Sequence, residues 1–354
     1  MVLPGLVTGM LTAAGAVGDG ASTQRAVTAG AAGSTSSAQG AAVTRAHPAT
    51  RSGRQVQPLT AKPCGTMTPP TTGAQVITHV VWVVFENKSY DDVFDTPSVD
   101  PYLTGLAHSC GVASAYSATP ANASKLALTS GTDWGVTGDA NVEPGPDIYS
   151  QLGTDWRQYM GGMTTNCQTG DTTTYYQHHN PPTYYTDAAS ACTTQDVPLP
   201  TDPTQINLSA AFTWIEGTVP QSMHGCPSGC SATTAGQLAA GDSWASKVIP
   251  ALTQTSQYLS GSTVIFIVWD QASTSDPHSV LIAVSPYVHP GSVSATPFTH
   301  YSLLRGTEEY LGLPLLVHAG DKATSTVGGQ FGLPGSTQST LPSSAPVPPI
   351  IHTP

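Results

Sequence analysis

An α/β fold with a mainly parallel central sheet flanked by helices is what this sequence predicts, on three observations. Short, continuous apolar runs rich in β-branched residues recur at Val80–Phe85, 262–270 and 279–286. That pattern suits strands buried on both faces of a parallel sheet. Helical periodicity fills the stretches between such runs, the alternation that builds a parallel sheet. Two of the runs also end on an acid followed by an amide, Phe85-Glu86-Asn87 and Trp269-Asp270-Gln271. Polar strand ends of this kind emerge at the carboxyl edge, where open α/β sheets place their ligands.

Taken in order, the chain begins with MVLPGLVTGMLTAAGAVG, apolar and small like the core of a signal peptide but with no basic residue before it. Residues 19–72 are low-complexity Ala, Gly, Ser, Thr and Pro and read as disordered linker, so 1–72 is set apart from the body. The α/β domain is expected over 73–333, and 334–354 reads as a disordered Pro/Ser-rich tail. Within the body, Tyr102, Leu103 and Leu106 mark a short helix, and a strand follows Gly111. The segment 123–131 reads as a helix ending at Gly131. Residues 147–160 read as an amphipathic helix pair with Ile148, Leu152, Trp156 and Tyr159 on one stripe. The irregular TTNCQTGDTTTYYQHHNPPTYY is long for a plain connection and suggests a functional loop or lid. A strand is expected over 210–217, a helix over 240–258 with Asp242 near its start, and a last helix over 300–314.

Charged residues make up only 9% of the chain, against the ~25% usual for soluble proteins. The formal net charge is −11, which argues against nonspecific nucleic-acid binding. Basic residues gather early: Arg25, Arg45, Arg51, Arg54 and Lys62 face a single acid, Asp19, before residue 73. An acidic body that handles a phosphate ester needs a metal or a nest of donors to hold the anion. Six cysteines in a chain of low Lys content fit an exported, disulfide-bonded protein, with Cys167–Cys192 and Cys226–Cys230 as the expected pairs. A zinc module of Cys226, Cys230 and His224 is the competing reading. No stretch reaches the roughly 18 apolar residues of a membrane helix, so no transmembrane anchor is expected.

Adjacent parallel strands would bring Glu86 and Asp270 to one edge, where two carboxyl groups suit metal binding or acid–base work. A solvated loop start is the plain alternative for Glu86-Asn87.

Several blocks carry a resemblance: VVFENKSYDDVF (83–94), LALTSG (126–131), YYQHHNPPTYY (175–185), AGDSW (240–244), IFIVWDQ (265–271) and SPYVHPG…TPFTHYSLLRGTEEYLGLP (285–314). In this order, over about 78–316, they resemble the bacterial phosphoesterases, the acid phosphatases and phosphatidylcholine-type phospholipases C of the alkaline-phosphatase-like superfamily. The resemblance implies an alkaline-phosphatase-like fold and a secreted or cell-surface, metal-dependent hydrolase of phosphate esters. Its partner would be a small phosphate ester or a phospholipid head group, and its cofactor one divalent metal ion of open identity. A hydroxyl nucleophile would attack phosphorus while the metal supports the phosphoryl oxygens. Carried over by position, Glu86, Asn87, Asp270 and Gln271 are the metal ligands. His224 and His278 are catalytic histidines, and His179 and His300 are further site candidates.

The departures matter equally. The family's nucleophilic serine falls on Ala121, which leaves Thr119 or Ser124 as the replacement hydroxyl. An acid of the family falls on Gln271, and the Asn and Asp of a histidine-containing motif fall on Gln221 and Ser222. A degenerate member acting as a binding or cell-surface protein is therefore the alternative function.

Overall fold

The computed structural model describes residues 62–70, 76–120, 123–136, 145–226, 228–273 and 277–335. The signal-like start, the linker up to 61, Ala121 and the tail from 336 lie outside them.

In chain order the elements are β1 (His79–Phe85), α1 (Tyr90–Phe94), α2 (Pro101–Ser109), β2 (Gly111–Ser117), α3 (Ser124–Ser130), α4 (Ile148–Leu152) and β3 (Trp156–Met160). They continue with α5 (Ala189–Gln195), β4 (Asp196–Pro198), β5 (Phe212–Glu216), α6 (Thr234–Leu252), α7 (Ser256–Leu259), β6 (Thr263–Trp269), β7 (His278–Val284), β8 (Ser292–Ser294), β9 (Phe298–Thr299) and α8 (His300–Leu311). One sheet runs β4-β3-β5-β1-β6-β7-β2-β8, with β9 also paired to β2. Every pairing is parallel except those of β7, which runs antiparallel to β6 and β2. The expected mainly parallel α/β sheet is what forms.

The centre of the sheet explains the site. β1 lies between β5 and β6, parallel to both, and all three are buried along nearly their whole length. Burying a large apolar side chain contributes about 1.5–3 kcal/mol, so a slip that drew a polar terminus inward would be strongly resisted. The aromatic packing of Trp82 against Phe212 (ring centroids 4.9 Å apart) and Phe85 against Trp269 (4.8 Å) pins the register.

Three expectations need correction. Only Ile148–Leu152 of the 147–160 stretch is helical; Trp156–Met160 is a strand between β4 and β5. Gly153, at φ +64°, ends the helix in a conformation that disfavours other residues, and the three-residue spacing of Trp156 and Tyr159 imitates a helix in a strand buried on both faces. The helix expected over 240–258 starts earlier, where the Thr233 side chain accepts from the Gly236 N–H, and ends at Leu252, with the short α7 beyond. Finally, residues 62–70 lie against the body: Cys64 is bonded to Cys110, the Pro286 carbonyl accepts from Thr66 and Met67, and the Tyr258 hydroxyl donates to Pro63 O.

All six cysteines are paired, as Cys64–Cys110, Cys167–Cys192 and Cys226–Cys230. The two expected pairs form, and the zinc module loses its thiolates. No described helix is long and apolar enough to cross a membrane.

Candidate active site

The last residue of β5 is Glu216, the first residue beyond β1 is Glu86, and the first beyond β6 is Asp270. Three neighbouring parallel strands thus deliver three buried carboxylates to one edge. Backbone bonds hold the ends in place: Glu86 N–H donates to Ser222 O (2.8 Å) and Asp270 N–H to Phe85 O (3.0 Å).

Above this edge sits the first turn of α3, a helix buried at every position. It ends at Gly131 (φ +77°), where an added Cβ would stand 2.5 Å from Leu316 O, so glycine is required there. Ser124 Oγ donates to Asp270 Oδ2 at 2.9 Å. Lys125 Nζ donates to the same Oδ2 at 2.8 Å and also to Glu86 Oε1. Asn87 Nδ2 reaches Glu86 Oε2 at 3.2 Å, and Gln271 Nε2 lies 3.5 Å from Ser124 Oγ. From the long loop, His179 places Nδ1 2.7 Å from Glu216 Oε1 and Nε2 3.5 Å from Glu86 Oε1. The His224 ring packs 5.0 Å from that of His179. His300 enters from the other side, with Nε2 2.8 Å from the Asp270 carbonyl and Nδ1 2.6 Å from the Tyr116 hydroxyl.

Glu86, Asn87, Asp270, Gln271, Ser124, His179 and His300 are therefore brought together, with His224 beside them. Thr119 instead bonds Ser117 Oγ (3.2 Å), and the His278 ring stacks on Tyr90 and lies 3.1 Å from Ser114 O. Lys125 and Glu216 were missed. Glu216 carried the same signal as Glu86, an acid closing an apolar run. Lys125 offered only a lone lysine beside Leu126 and Leu128.

Non-glycine residues with positive φ gather here: Asn87 (48°), Ala123 (48°) and Met223 (70°). Each costs about 1–3 kcal/mol unless its side chain tolerates the left-handed region, and such strain concentrates at functional sites.

Burial pushes the Glu86 carboxyl up, but His179 and Lys125 outweigh it and hold the group well below the carboxylate range. Burial lowers His179 to about 4, so at pH 7 the imidazole is neutral and the Lys125 ammonium is what keeps Glu86 ionised. Burial also opposes the charge on Lys125, yet Asp270, Glu86 and Glu216 raise its pKa above the usual range. Burial and the Glu86 charge raise Asp270. Glu216 is pushed up to about 8 by burial, with Lys125 opposing. His300 falls to about 3 through burial and acts as a neutral brace.

The quartet Glu86, Asn87, Asp270 and Gln271 does not fit a divalent ion as it stands. The Lys125 ammonium already stands between its two carboxylates, at Glu86 Oε1 and Asp270 Oδ2, where an ion would sit, and Asp270 Oδ1 is the carboxylate oxygen of the quartet left buried without a partner. Two other groups have ligand chemistry, Glu86–His179–Glu216 and His178–His179–His224. A third, Cys167–Cys192–Asp196, is closed by its disulfide.

The phosphoesterase family profile matches residues 101–314. No curated protein sequence matches the chain. Among solved structures, it is similar to a protein in the alkaline phosphatase superfamily from Vibrio parahaemolyticus (10% identity, TM-score 0.45, 73% of this chain and 72% of that one). It is also similar to a phosphonate monoester hydrolase from Silicibacter pomeroyi (12%, 0.45, 71% and 76%). A third is the lipoteichoic acid synthase LtaP from Listeria monocytogenes (12%, 0.42, 73% and 75%).

Proposed function

This chain belongs to the phosphoesterase family, and on that premise we propose that it is an exported hydrolase of phosphate esters whose attacking group is Ser124. The observation that carries this reading is the Ser124 Oγ–Asp270 Oδ2 hydrogen bond of 2.9 Å, beside the Lys125 ammonium. A hydroxyl bonded to a carboxylate is the arrangement that activates a serine. Ser124 Oγ forms the bond to phosphorus as the ester P–O bond breaks, and the hydroxyl proton passes to Asp270. Lys125 offers positive charge to the phosphoryl oxygens. His224, half-buried beside His179, gives the leaving oxygen its proton, and water then hydrolyses the phosphoserine. Phosphomonoesters, phosphodiesters and phospholipid head groups all contain the bond required. Export is supported by the three disulfides, which persist in oxidising surroundings.

The test uses p-nitrophenyl phosphate and bis-p-nitrophenyl phosphate, with and without Mn²⁺, Ca²⁺ or Zn²⁺. Ser124→Ala is expected to lower turnover at least about 10²-fold. Equal turnover in parent and variant removes Ser124 from the mechanism, and no turnover in the parent under any metal ends the hydrolase reading.

A second reading, a catalytically silent binding or cell-surface protein, is favoured by Ala121, Ser222 and Gln271 standing where the family resemblance expects reactive groups. Activity that appears only after Ala121→Ser, Ser222→Asp and Gln271→Glu are combined supports it.

A further inference from the structure

We propose that Glu86, His179 and Glu216 hold one divalent cation of the zinc class, one strand away from the quartet implied by the resemblance, while Lys125 serves as that quartet's built-in cation. Three features of the structure carry this assignment.

The first is a set of orphaned atoms. Both carboxylate oxygens of Glu216 and Nε2 of His179 are buried without a hydrogen-bond partner. Glu216 is fully buried and His179 is 3% exposed. His179 Nδ1 approaches Glu216 Oε1 to 2.7 Å, yet that oxygen is not hydrogen-bonded. The neighbouring Trp214 indole favours the ionised Glu216, but its N–H also lacks a hydrogen-bond partner. Buried polar atoms without partners are costly unless something absent from the protein's own atoms satisfies them.

The second is charge. Glu86, Asp270 and Glu216 are three buried carboxylates, and among the described residues Lys125 is the ammonium bonded among them. With all three ionised, as metal ligation would favour, two negative charges remain beyond Lys125, and one divalent ion balances them. Lys88 does not meet this need, because its Nζ donates to the carbonyls of Asn87 (3.0 Å) and Met223 (2.8 Å), and the acid that most favours its charge is Asp92.

The third is donor chemistry. One ligand atom from each of Glu86, His179 and Glu216 lies within 4.8 Å of the others. An imidazole with two carboxylates suits zinc better than calcium or magnesium, which prefer oxygen throughout. Glu86 can take part while bonded to Lys125, because a carboxylate offers about four lone-pair sites.

The experiment uses the full chain with its disulfides intact, dialysed against Zn²⁺ and then metal-free buffer, with metal content read by mass spectrometry. The parent is expected to retain about one Zn²⁺ per chain. Glu216→Gln and His179→Ala are expected to weaken retention by more than the about 10- to 100-fold that a lost outer-shell partner costs. Gln271→Ala and Ser124→Ala should leave retention unchanged. The proposal is overturned by a parent that keeps no ion, by Gln271→Ala losing the ion as Glu216→Gln does, or by His178→Ala abolishing binding while Glu216→Gln keeps it. Should the Glu216 variant fail to fold by circular dichroism, the Co²⁺-loaded parent decides. Intense visible bands of four-coordinate, imidazole-ligated Co²⁺ support the site, and the pale spectrum of six-coordinate Co²⁺ overturns it. Metal retention is read without turnover, so its failure leaves the Ser124 mechanism standing, and the reverse also holds.

Discussion

At the carboxyl edge of the sheet, Glu86 and Asp270 are joined by an ammonium that reaches down from α3 and favours the ionised form of each. At the start of α2, Asp100 and Asp242 are also buried, and among the described residues no ammonium or guanidinium is bonded to either. Asp242 accepts from the N–H groups of Tyr102 (3.3 Å) and Leu103 (2.8 Å), donors that the helix leaves unpaired in its first turn. Asp100 stands at the N-cap without capping, with Oδ1 3.4 Å from the Thr104 hydroxyl and Oδ2 bonded to nothing. Burial and the Asp242 charge push Asp100 up to about 7, and Asp242 is itself raised by burial. One pair of acids is therefore bridged by a cation at the candidate site. The other is a structural clasp that favours protonation. The difference teaches that an acid's burial says little about its role until its partner is known.

The sharpest way to break this contrast is Lys125→Met. Removing one partner of a buried ion pair leaves the carboxylates uncompensated and costs about 3–5 kcal/mol. Urea unfolding at pH 7 checks it, and a loss below about 1 kcal/mol would show that the ammonium is not what holds the edge together. Asp242→Ala should cost less, about 1–2 kcal/mol, the usual loss for a helix-start acceptor; a thermal melt reads it.

A third prediction concerns pH. An acid whose pKa is raised on folding stabilises the fold fully below its unfolded value and loses that contribution as pH rises through the folded one. For Asp100 the window runs from about 4 to about 7. Stability should fall across this window, and Asp100→Asn, which cannot ionise, should flatten the profile. An unchanged slope in the variant would remove Asp100 as the cause. The smallest effect expected is that of Gln271→Ala, within about 0.5 kcal/mol, because its one bond here is a 3.5 Å contact to Ser124.

Much of this was legible in the sequence because strand ends are local features. An apolar run that stops at an acid announces both the strand and its functional terminus, which is why Glu86 and Asp270 could be placed together without coordinates. Glu216 obeys the same rule but closes the shorter run AFTWIE, where Gly217 follows instead of an amide. Lys125 could not be read in this way. Its role depends on which edge its four-carbon side chain reaches, and that is set by how α3 lies over the sheet. The same limit applied to Trp156–Met160, because a strand covered on both faces shows no alternation to distinguish it from a helix.

The Cys64–Cys110 bridge has a consequence for the strand at the centre of the site. With a sequence separation of 46, it turns the chain between those residues into a covalent ring, and β1 with Glu86 lies inside it. Closing a ring of that size restricts the unfolded chain by roughly 4 kcal/mol in the chain-entropy view. A detached β1 would still be leashed at both ends to the start of β2, never far from its slot between β5 and β6. The segment around Cys64, the start of β2 and the innermost acid thus share one tether, and reducing conditions would loosen the middle of the sheet by cutting a bond several strands away from it.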